Sequence, residues 1–556
     1  MASITLCMLN SQYIHAAPAP WCLKKGIETY AALPHSIQIV EGTVNEAPEA
    51  VFRRLTAQRT DAYGFCCYIW NMIRVQELIP ALRQLCPGAK IFLGGPEAAH
   101  RAEELLNAHV ADGVFCGEGE VPLAMLMDRL DEAQIPDDIP GLWTLRDGQV
   151  RNNGFYYSRE LPPPDDDAYI AALHGRIAYV ETSRGCPFSC AFCLSGRQEP
   201  LRFRPVAESV ERLVKLANSG TRTVKLVDRT FNCNPKRTYE IIDRLIDLRG
   251  KAFPENVCFH FEVGADLFDE KTLQRLSEAP VGLFQLEAGI QSFHPETLAA
   301  VSRKTDTTHL YDILRRLIAM GNMHIHVDLI AGLPHEDEAC FAASFDRAYS
   351  LQPHMLQFGF LKLLHGSRLR AQREVFGFVA QETPPYQIQR TNWLTPAELE
   401  SMKATEDALD RIYNCGRFRR TAAYAMQASG LGAYAFYKAV GASMNYAPDI
   451  DLDHYTAKLF DALKRLPGVE ETALRDEMVK DRLATVRGGK LPAVLRVTDE
   501  RFGSLTRAAR VDTGIPAAHY GAALLYHGGV RVLAADYRYK DPVTGQYRLT
   551  EQHVSQ

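Results

Sequence analysis

The 556-residue sequence has no apolar stretch of the roughly 18 residues that a membrane-spanning helix needs. The apolar run at residues 4–9 has neither the length nor the basic flank of a secretory leader. Neither membrane insertion nor secretion is therefore expected, and the expected location is cytoplasmic. Excess charge is also missing: the formal net charge is -5, which excludes the broad basic field of a protein that coats nucleic acid. There is no internal repeat and no low-complexity tract. Pairs of CxxC motifs are absent, and ten of the 13 cysteines follow no regular spacing, so a disulfide framework is not expected. With 46% hydrophobic and 23% charged residues, the composition is that of an ordinary globular chain long enough for several domains.

What is present is an alternation of short apolar runs and helical patterns. Strands are expected at residues 4–9, 36–40, 62–65, 90–93 and 113–116, with helices between most of them, the pattern of a doubly wound parallel sheet over residues 1–135. A Pro-rich, acidic linker should occupy 136–175, marked by Pro140-Gly141 and by the run from Leu161 to Asp167. A second β/α series over 176–370 has strands at 177–181, 222–228, 257–263, 282–287, 323–330 and 355–361. Six such units suggest a partial (β/α)6 barrel of the TIM type, open on one side. From 385 to 556 the chain should be mainly α, with helices at 395–414, 419–440 and 453–465. It should end in short β segments at 492–497 and 522–537. The fold class is thus α/β with a third, mainly helical domain.

The other three cysteines stand within eight residues, as Cys186-Pro-Phe-Ser-Cys190-Ala-Phe-Cys193, directly after the first barrel strand. A zinc ion would need a fourth ligand from elsewhere in the chain. Three thiolates on one loop can instead hold three corners of a 4Fe-4S cluster and leave the fourth iron open.

The stretch from Glu181 to Cys193 resembles the signature of the radical SAM superfamily. The resemblance implies that Cys186, Cys190 and Cys193 ligate the cluster and that S-adenosylmethionine (SAM) chelates the open iron. Phe192 is then placed near the adenine and Asp228 near the SAM amino group, although the Gly-Gly-Glu triplet of many members is missing. Glu262, Gln291 and Ser292 resemble positions that meet the ribose or methionine part. Arg303 resembles the residue that meets the carboxylate, and residues 330–334 resemble the strand that passes along the adenine.

A parallel sheet ahead of such a barrel resembles the cobalamin-binding domain of cobalamin-dependent radical SAM enzymes. By that resemblance Gly94, Gly95, Gly117, Glu118 and Gly119 let the backbone approach the cofactor, and Tyr13, Trp70 and Asn71 lie under or beside the corrin. His15 lacks the acidic residue two positions before it and the glycine after it that accompany a cobalt-ligating histidine, so cobalamin should bind base-off.

The activity implied is a methyltransferase that moves a methyl from SAM through cobalamin to an unactivated carbon or a phosphorus centre. The alternatives are a non-methylating rearrangement or redox reaction, and a cobalamin- or SAM-responsive binding protein without turnover. Expected partners are a small-molecule or peptide substrate and an electron donor such as flavodoxin or ferredoxin. Arg417, Arg419 and Arg420 permit RNA and equally suit a solvated helix face. Tyr424, Tyr434, Phe436, Tyr437 and Tyr446 have the spacing of core aromatics as much as of a stacking platform.

Overall fold

The structure, a computed structural model, describes residues 1–162, 166–195, 199–444, 450–488 and 490–553. Tyr446 and part of the acidic linker run lie outside the described residues. The chain forms two compact units. The first comprises Met1–Glu287, Ala299–Thr305 and Leu361–Ile388, and the second Ala288–Leu298, Asp306–Phe360 and Gln389–Gln556.

In the first unit, β1 (Ser3–Asn10), β3 (Ser36–Thr43), β4 (Ala62–Cys66), β5 (Lys90–Gly94) and β6 (Gly113–Phe115) pair in parallel, in the order β3-β1-β4-β5-β6. The short strand β2 (His15–Ala16) leaves this sheet and is treated below. Alternate residues of each strand feed two apolar layers. Leu9, Phe65, Leu93 and Val114 enter one, and Ile4, Leu6, Phe92 and Phe115 the other. Apolar packing on both faces is what a parallel sheet flanked by crossover helices requires. The chain leaves β1 toward opposite sides to form β3 and β4, so the topological switch point lies at the carboxyl ends of β1 and β4, where open α/β sheets bind ligands.

Two features differ from the sequence expectation. The sheet has seven strands rather than five, because β7 (Leu142–Arg146) and β8 (Gln149–Arg151) add antiparallel to β6. Part of the expected linker therefore pairs with the β6 edge, and a helix at Asp166–Leu173 takes up more of it.

The barrel strands follow. In the first unit the order is β2, β9 (Ile177–Val180), β12 (Thr223–Leu226), β13 (Cys258–Val263) and β14 (Phe284–Gln291); β10 (Ser183–Arg184) and β11 (Arg202–Phe203) close a separate antiparallel pair. Strand β14 ends in the second unit, where β15 (His324–Ala331) and β16 (Met355–Phe360) continue the order. The six strands β9 and β12–β16 are the six of the expected (β/α)6 series.

The remainder of the second unit is mainly helical. Pro396–Leu409 starts on a capping box of Thr395 and Glu398. The helix expected over 419–440 is two, Arg419–Ser429 and Ala433–Met444, because Gly430 ends the first in a left-handed conformation at φ 69°. The segment 492–497 is not a strand: Ala493–Leu495 forms one 3-10 turn. The β finish is instead the antiparallel set Tyr520–Leu525, Arg531–Lys540 and Tyr547–His553, and helices at Glu471–Thr485 and Phe502–Thr513 were not anticipated. Tyr434, Phe436 and Tyr437 are core residues, with the Tyr437 and Tyr349 hydroxyls 3.0 Å apart. The Tyr424 hydroxyl sits at the backbone of Glu470.

Candidate active site

The cysteine loop leaves β9 and is tied at its base. Antiparallel pairing of β10 with β11 brings its two arms together. Gly185 sits at φ 85°, and a Cβ there would lie 2.6 Å from the Pro200 carbonyl oxygen, so only glycine makes this turn. Asp228, fully buried just after β12, holds the stem: it accepts from the Thr182 amide at 2.7 Å, the Thr182 hydroxyl at 2.5 Å and the Ser183 hydroxyl at 2.8 Å. Burial raises its pKa against these hydrogen bonds. The carboxylate is thus spent on shaping the stem of the cysteine loop, a different task from contacting the SAM amino group.

Each of the three sulfurs meets a polar neighbour. Thr230 Oγ1 lies 3.5 Å from Cys186 Sγ, Arg303 Nη1 donates to Cys190 Sγ at 3.8 Å, and the Ser195 amide donates to Cys193 Sγ at 3.4 Å. Burial pushes the Cys190 thiol up, and Arg303 opposes it. Soft ligands that already receive N–H and guanidinium donors suit a thiolate-bound iron-sulfur cluster. The loop is fixed to its surroundings by the Ala191 amide on the Val301 carbonyl at 2.8 Å and the Leu369 amide on the Ala191 carbonyl at 3.0 Å. Phe192 is half-buried between Cys190 and Cys193 in the sequence, and Glu262 is half-buried at the carboxyl end of β13. Cys66 and Cys67 are buried in the amino-terminal domain, where burial raises both thiols.

The second unit holds the other two residues expected at SAM. Gln291 ends β14 at φ 72°, a left-handed conformation for a non-glycine residue. Ser292 is buried, and its hydroxyl donates to Glu336 Oε1 at 2.5 Å, with Ser344 nearby. The hydroxyl therefore serves an internal network. Burial pushes Glu336 up from 4.5 to about 7 despite those hydrogen bonds. Ionisation costs more in the folded than in the unfolded chain, so this group should remove about 3 kcal/mol of stability as pH rises from 4.5 through 7. Melting temperatures across that range should fall in the parent and fall less steeply in Glu336→Gln; parallel curves would disprove the assignment.

At the switch point of the amino-terminal sheet, Tyr13 and Trp70 are 69% and 44% exposed, uncommon for such large rings. Trp70 stacks on Tyr68 at 4.4 Å, and its Nε1–H donates to the Leu9 carbonyl at 3.1 Å. Asn71 differs from expectation. It is fully buried, its amide donates to the Leu9 and Cys66 carbonyls, and its oxygen accepts from the Tyr68 amide, so it builds the loop and presents nothing to a ligand.

The glycines also differ. A Cβ on Gly95 would sit 2.5 Å from the Cys67 carbonyl oxygen, one on Gly117 2.2 Å from that of Tyr156, and one on Gly119 2.9 Å from Leu23. At Gly94 the nearest neighbour is Phe115, at 3.6 Å. The room these residues leave is filled by protein; they shape turns at the strand ends rather than a cavity for the cofactor. Glu118 forms ion pairs with Arg184 and Arg202.

His15 belongs to the barrel. Strand β2 pairs in parallel with β9, and His15 Nδ1 lies 2.6 Å from the Tyr179 hydroxyl. Burial, then the charge of Lys225, lowers its pKa. A histidine docked on the barrel edge is not positioned as an axial ligand from the amino-terminal sheet. The cob(II)alamin EPR spectrum should show no axial imidazole splitting, and His15→Ala should leave it unchanged. An axial nitrogen that vanishes in the variant would contradict this and assign Tyr179 as the orienting partner of a ligating imidazole.

Sequence reasoning missed a polar row inside the barrel. Tyr179, Lys225 and His260 are in register on β9, β12 and β13. Glu287 Oε2 lies 3.1 Å from Lys225 Nζ and 2.9 Å from His260 Nε2. Burial, then the carboxylates of Glu262 and Glu287, raise Tyr179 to about 12. The signal was the period of two, with polar residues at inward positions of apolar strands.

Family models match three stretches: a B12 binding domain over residues 28–127, the radical SAM superfamily over 180–348, and a protein of unknown function (DUF4080) over 374–510. The chain is 24% identical over 350 residues to an uncharacterized methyltransferase of Pyrococcus horikoshii, covering 60% of this chain and 74% of the relative. It is 26% identical over 300 residues to the cobalamin-dependent radical SAM methyltransferase TokK of Streptomyces tokunonensis, covering 50% and 44%. The solved structure of OxsB, a cobalamin-dependent S-adenosylmethionine radical enzyme with aqua-cobalamin and S-adenosylmethionine bound, matches with a TM-score of 0.61 at 14% identity, over 92% of this chain and 81% of that one.

The chain carries a radical SAM domain over residues 180–348, which contains the cysteine loop. A B12 binding domain lies ahead of it in the sequence, and the cofactors of the two domains are a 4Fe-4S cluster, SAM and cobalamin. Among the described residues no helix is long and apolar enough to cross a membrane.

Proposed function

We propose that this chain is a cobalamin-dependent radical SAM methyltransferase acting on a polar small molecule. The cysteine loop, with a polar partner at each sulfur, carries the reading. The bound cofactors supply methyl transfer through cobalt and hydrogen abstraction by a 5'-deoxyadenosyl radical.

The chain's own residues prepare that chemistry. Cys186, Cys190 and Cys193 hold the cluster, and Arg303 beside Cys190 is positioned to receive the SAM carboxylate. Phe192 and Glu262 contribute to the SAM site. Tyr13 and Trp70 offer exposed rings to the corrin at the switch point, and the loops carrying Gly94, Gly95, Gly117, Glu118 and Gly119 frame it. The row Tyr179, Lys225, His260 and Glu287 gives the barrel interior ionic and hydrogen-bonding character, which suits a hydrophilic substrate better than a hydrocarbon. Electrons come from a small protein donor such as flavodoxin or ferredoxin.

The test is product analysis after anaerobic incubation of the reconstituted chain with SAM and reductant. Formation of both 5'-deoxyadenosine and S-adenosylhomocysteine is the expected result. Deoxyadenosine alone would mark a non-methylating enzyme, and neither product would mark a binding protein.

A further inference from the structure

The second unit contains a cavity of about 360 Å³ at the amino-terminal ends of β15 and β16, away from the carboxyl ends where catalytic loops gather in barrels. His324 and His354 form part of its wall. Arg419 and Arg420, from the first turn of the helix Arg419–Ser429, form another part, and the turn after Arg531–Lys540 closes it. Among the described lining residues there is no aspartate or glutamate.

The two arginines are built in rather than solvated. Arg419 donates from Nε to the Tyr413 carbonyl at 3.0 Å and from Nη2 to the His354 carbonyl, and it lies over the Tyr413 ring at 4.1 Å. These partners fix the guanidinium without neutralising it. Arg420 donates to buried Asp481 at 3.3 Å and to Gln546 Oε1 at 3.1 Å. Asp481 also accepts from the Thr421 amide and hydroxyl, so its charge is shared among several donors. His354 Nδ1 accepts from the Ile325 amide at 3.0 Å, which leaves the proton on Nε2. Burial, then Arg419, lowers its pKa to about 4 against the opposing charge of Asp541, which lies outside the lining, so the ring stays a neutral N–H donor.

A cavity with two fixed guanidinium groups, an imidazole donor and no lining carboxylate is complementary to a compact multivalent anion. We propose that it is a binding site for a small phosphate-bearing ligand, separate from the radical site. Its volume, small for a ligand pocket, fits a phosphate or a phosphorylated metabolite rather than a nucleic acid chain.

Calorimetric titration of the full chain at fixed ionic strength with inorganic phosphate, pyrophosphate and ribose 5-phosphate tests this. Saturable binding of at least one is expected. Arg420→Gln should weaken it about tenfold, and Ala423→Glu, which adds a carboxylate at the exposed lip without removing a contact, should do the same. Melting temperatures monitor folding, and Ala423→Glu keeps the test valid if loss of Arg420 disturbs Asp481. Tighter binding of ribose 5-phosphate than of phosphate would identify a phosphorylated metabolite as the ligand, and the reverse order free phosphate; either upholds the site. Unsaturable heats, or equal affinity in the parent and Ala423→Glu, would overturn it. So would a single-stranded RNA oligonucleotide that binds more tightly than all three and is weakened by the same substitutions.

Discussion

Changing Cys186, Cys190 and Cys193 together to alanine should take the protein from about four irons to none and abolish 5'-deoxyadenosine formation, because these three are the soft ligands that the loop itself carries. The loop should still fold, since its stem is held by Asp228 and by β10 and β11 rather than by iron. Changing Cys66 and Cys67, which are buried in the amino-terminal domain, should leave the iron content as it is. Iron analysis and the charge-transfer absorbance decide the matter, and a triple variant that kept both would refute the cluster assignment.

The second large effect is expected at Arg184, the residue two before Cys186. Its guanidinium lies 2.6 Å from Glu120, 2.8 Å from Glu181 and 3.4 Å from Glu118, and three of the four side chains are nearly out of solvent. Burial works to push Glu181 up, yet Arg184 and neighbouring arginines hold it below its ordinary value. Arg184→Met would take a cation from Glu120 while Glu118 keeps Arg202 and Glu181 keeps its neighbouring arginines, and the cost should be about 3–5 kcal/mol, the range for breaking a buried ion pair from one side. Arg184→Lys should lose less, since it keeps the charge but not the forked geometry. Because Arg184 joins the loop carrying Gly117, Glu118 and Gly119 to the base of the cysteine loop, Arg184→Met should lower cobalamin and iron occupancy together. Denaturant unfolding followed with both cofactor contents is the check; a loss below about 1 kcal/mol with full occupancy would contradict the linkage.

The amino acids disclosed the parts of this molecule whose physics is local. Five strands of the amino-terminal sheet and six of the barrel were readable because each is an apolar run bounded by turn residues. The cysteine loop was readable because three soft ligands in eight residues have few other uses. What escaped depends on distant partners. The pair β7 and β8 follows Pro140-Gly141 and is short, so it reads as linker until β6 supplies an edge to pair with. The helix Glu471–Thr485 buries Arg475, Asp476 and Asp481, which breaks the apolar period that would have announced it. Tyr547–His553 is largely exposed and polar, and pairs only as an outer strand. At the site, Asp228 and Asn71 looked ligand-facing because they follow strands. The structure spends both on hydrogen bonds within the protein that no sequence pattern records.

The central claim is that this site passes a methyl group through cobalt while the cysteine-bound cluster generates the radical. Its most direct test is anaerobic incubation of the reconstituted full chain, carrying cobalamin, with SAM deuterated in its methyl group, followed by mass spectrometry of the extracted corrinoid and nucleosides. The account predicts a deuterated methyl on the corrinoid, S-adenosylhomocysteine in matching amount, and 5'-deoxyadenosine that disappears in the triple cysteine variant. A corrinoid without label beside abundant 5'-deoxyadenosine would contradict it.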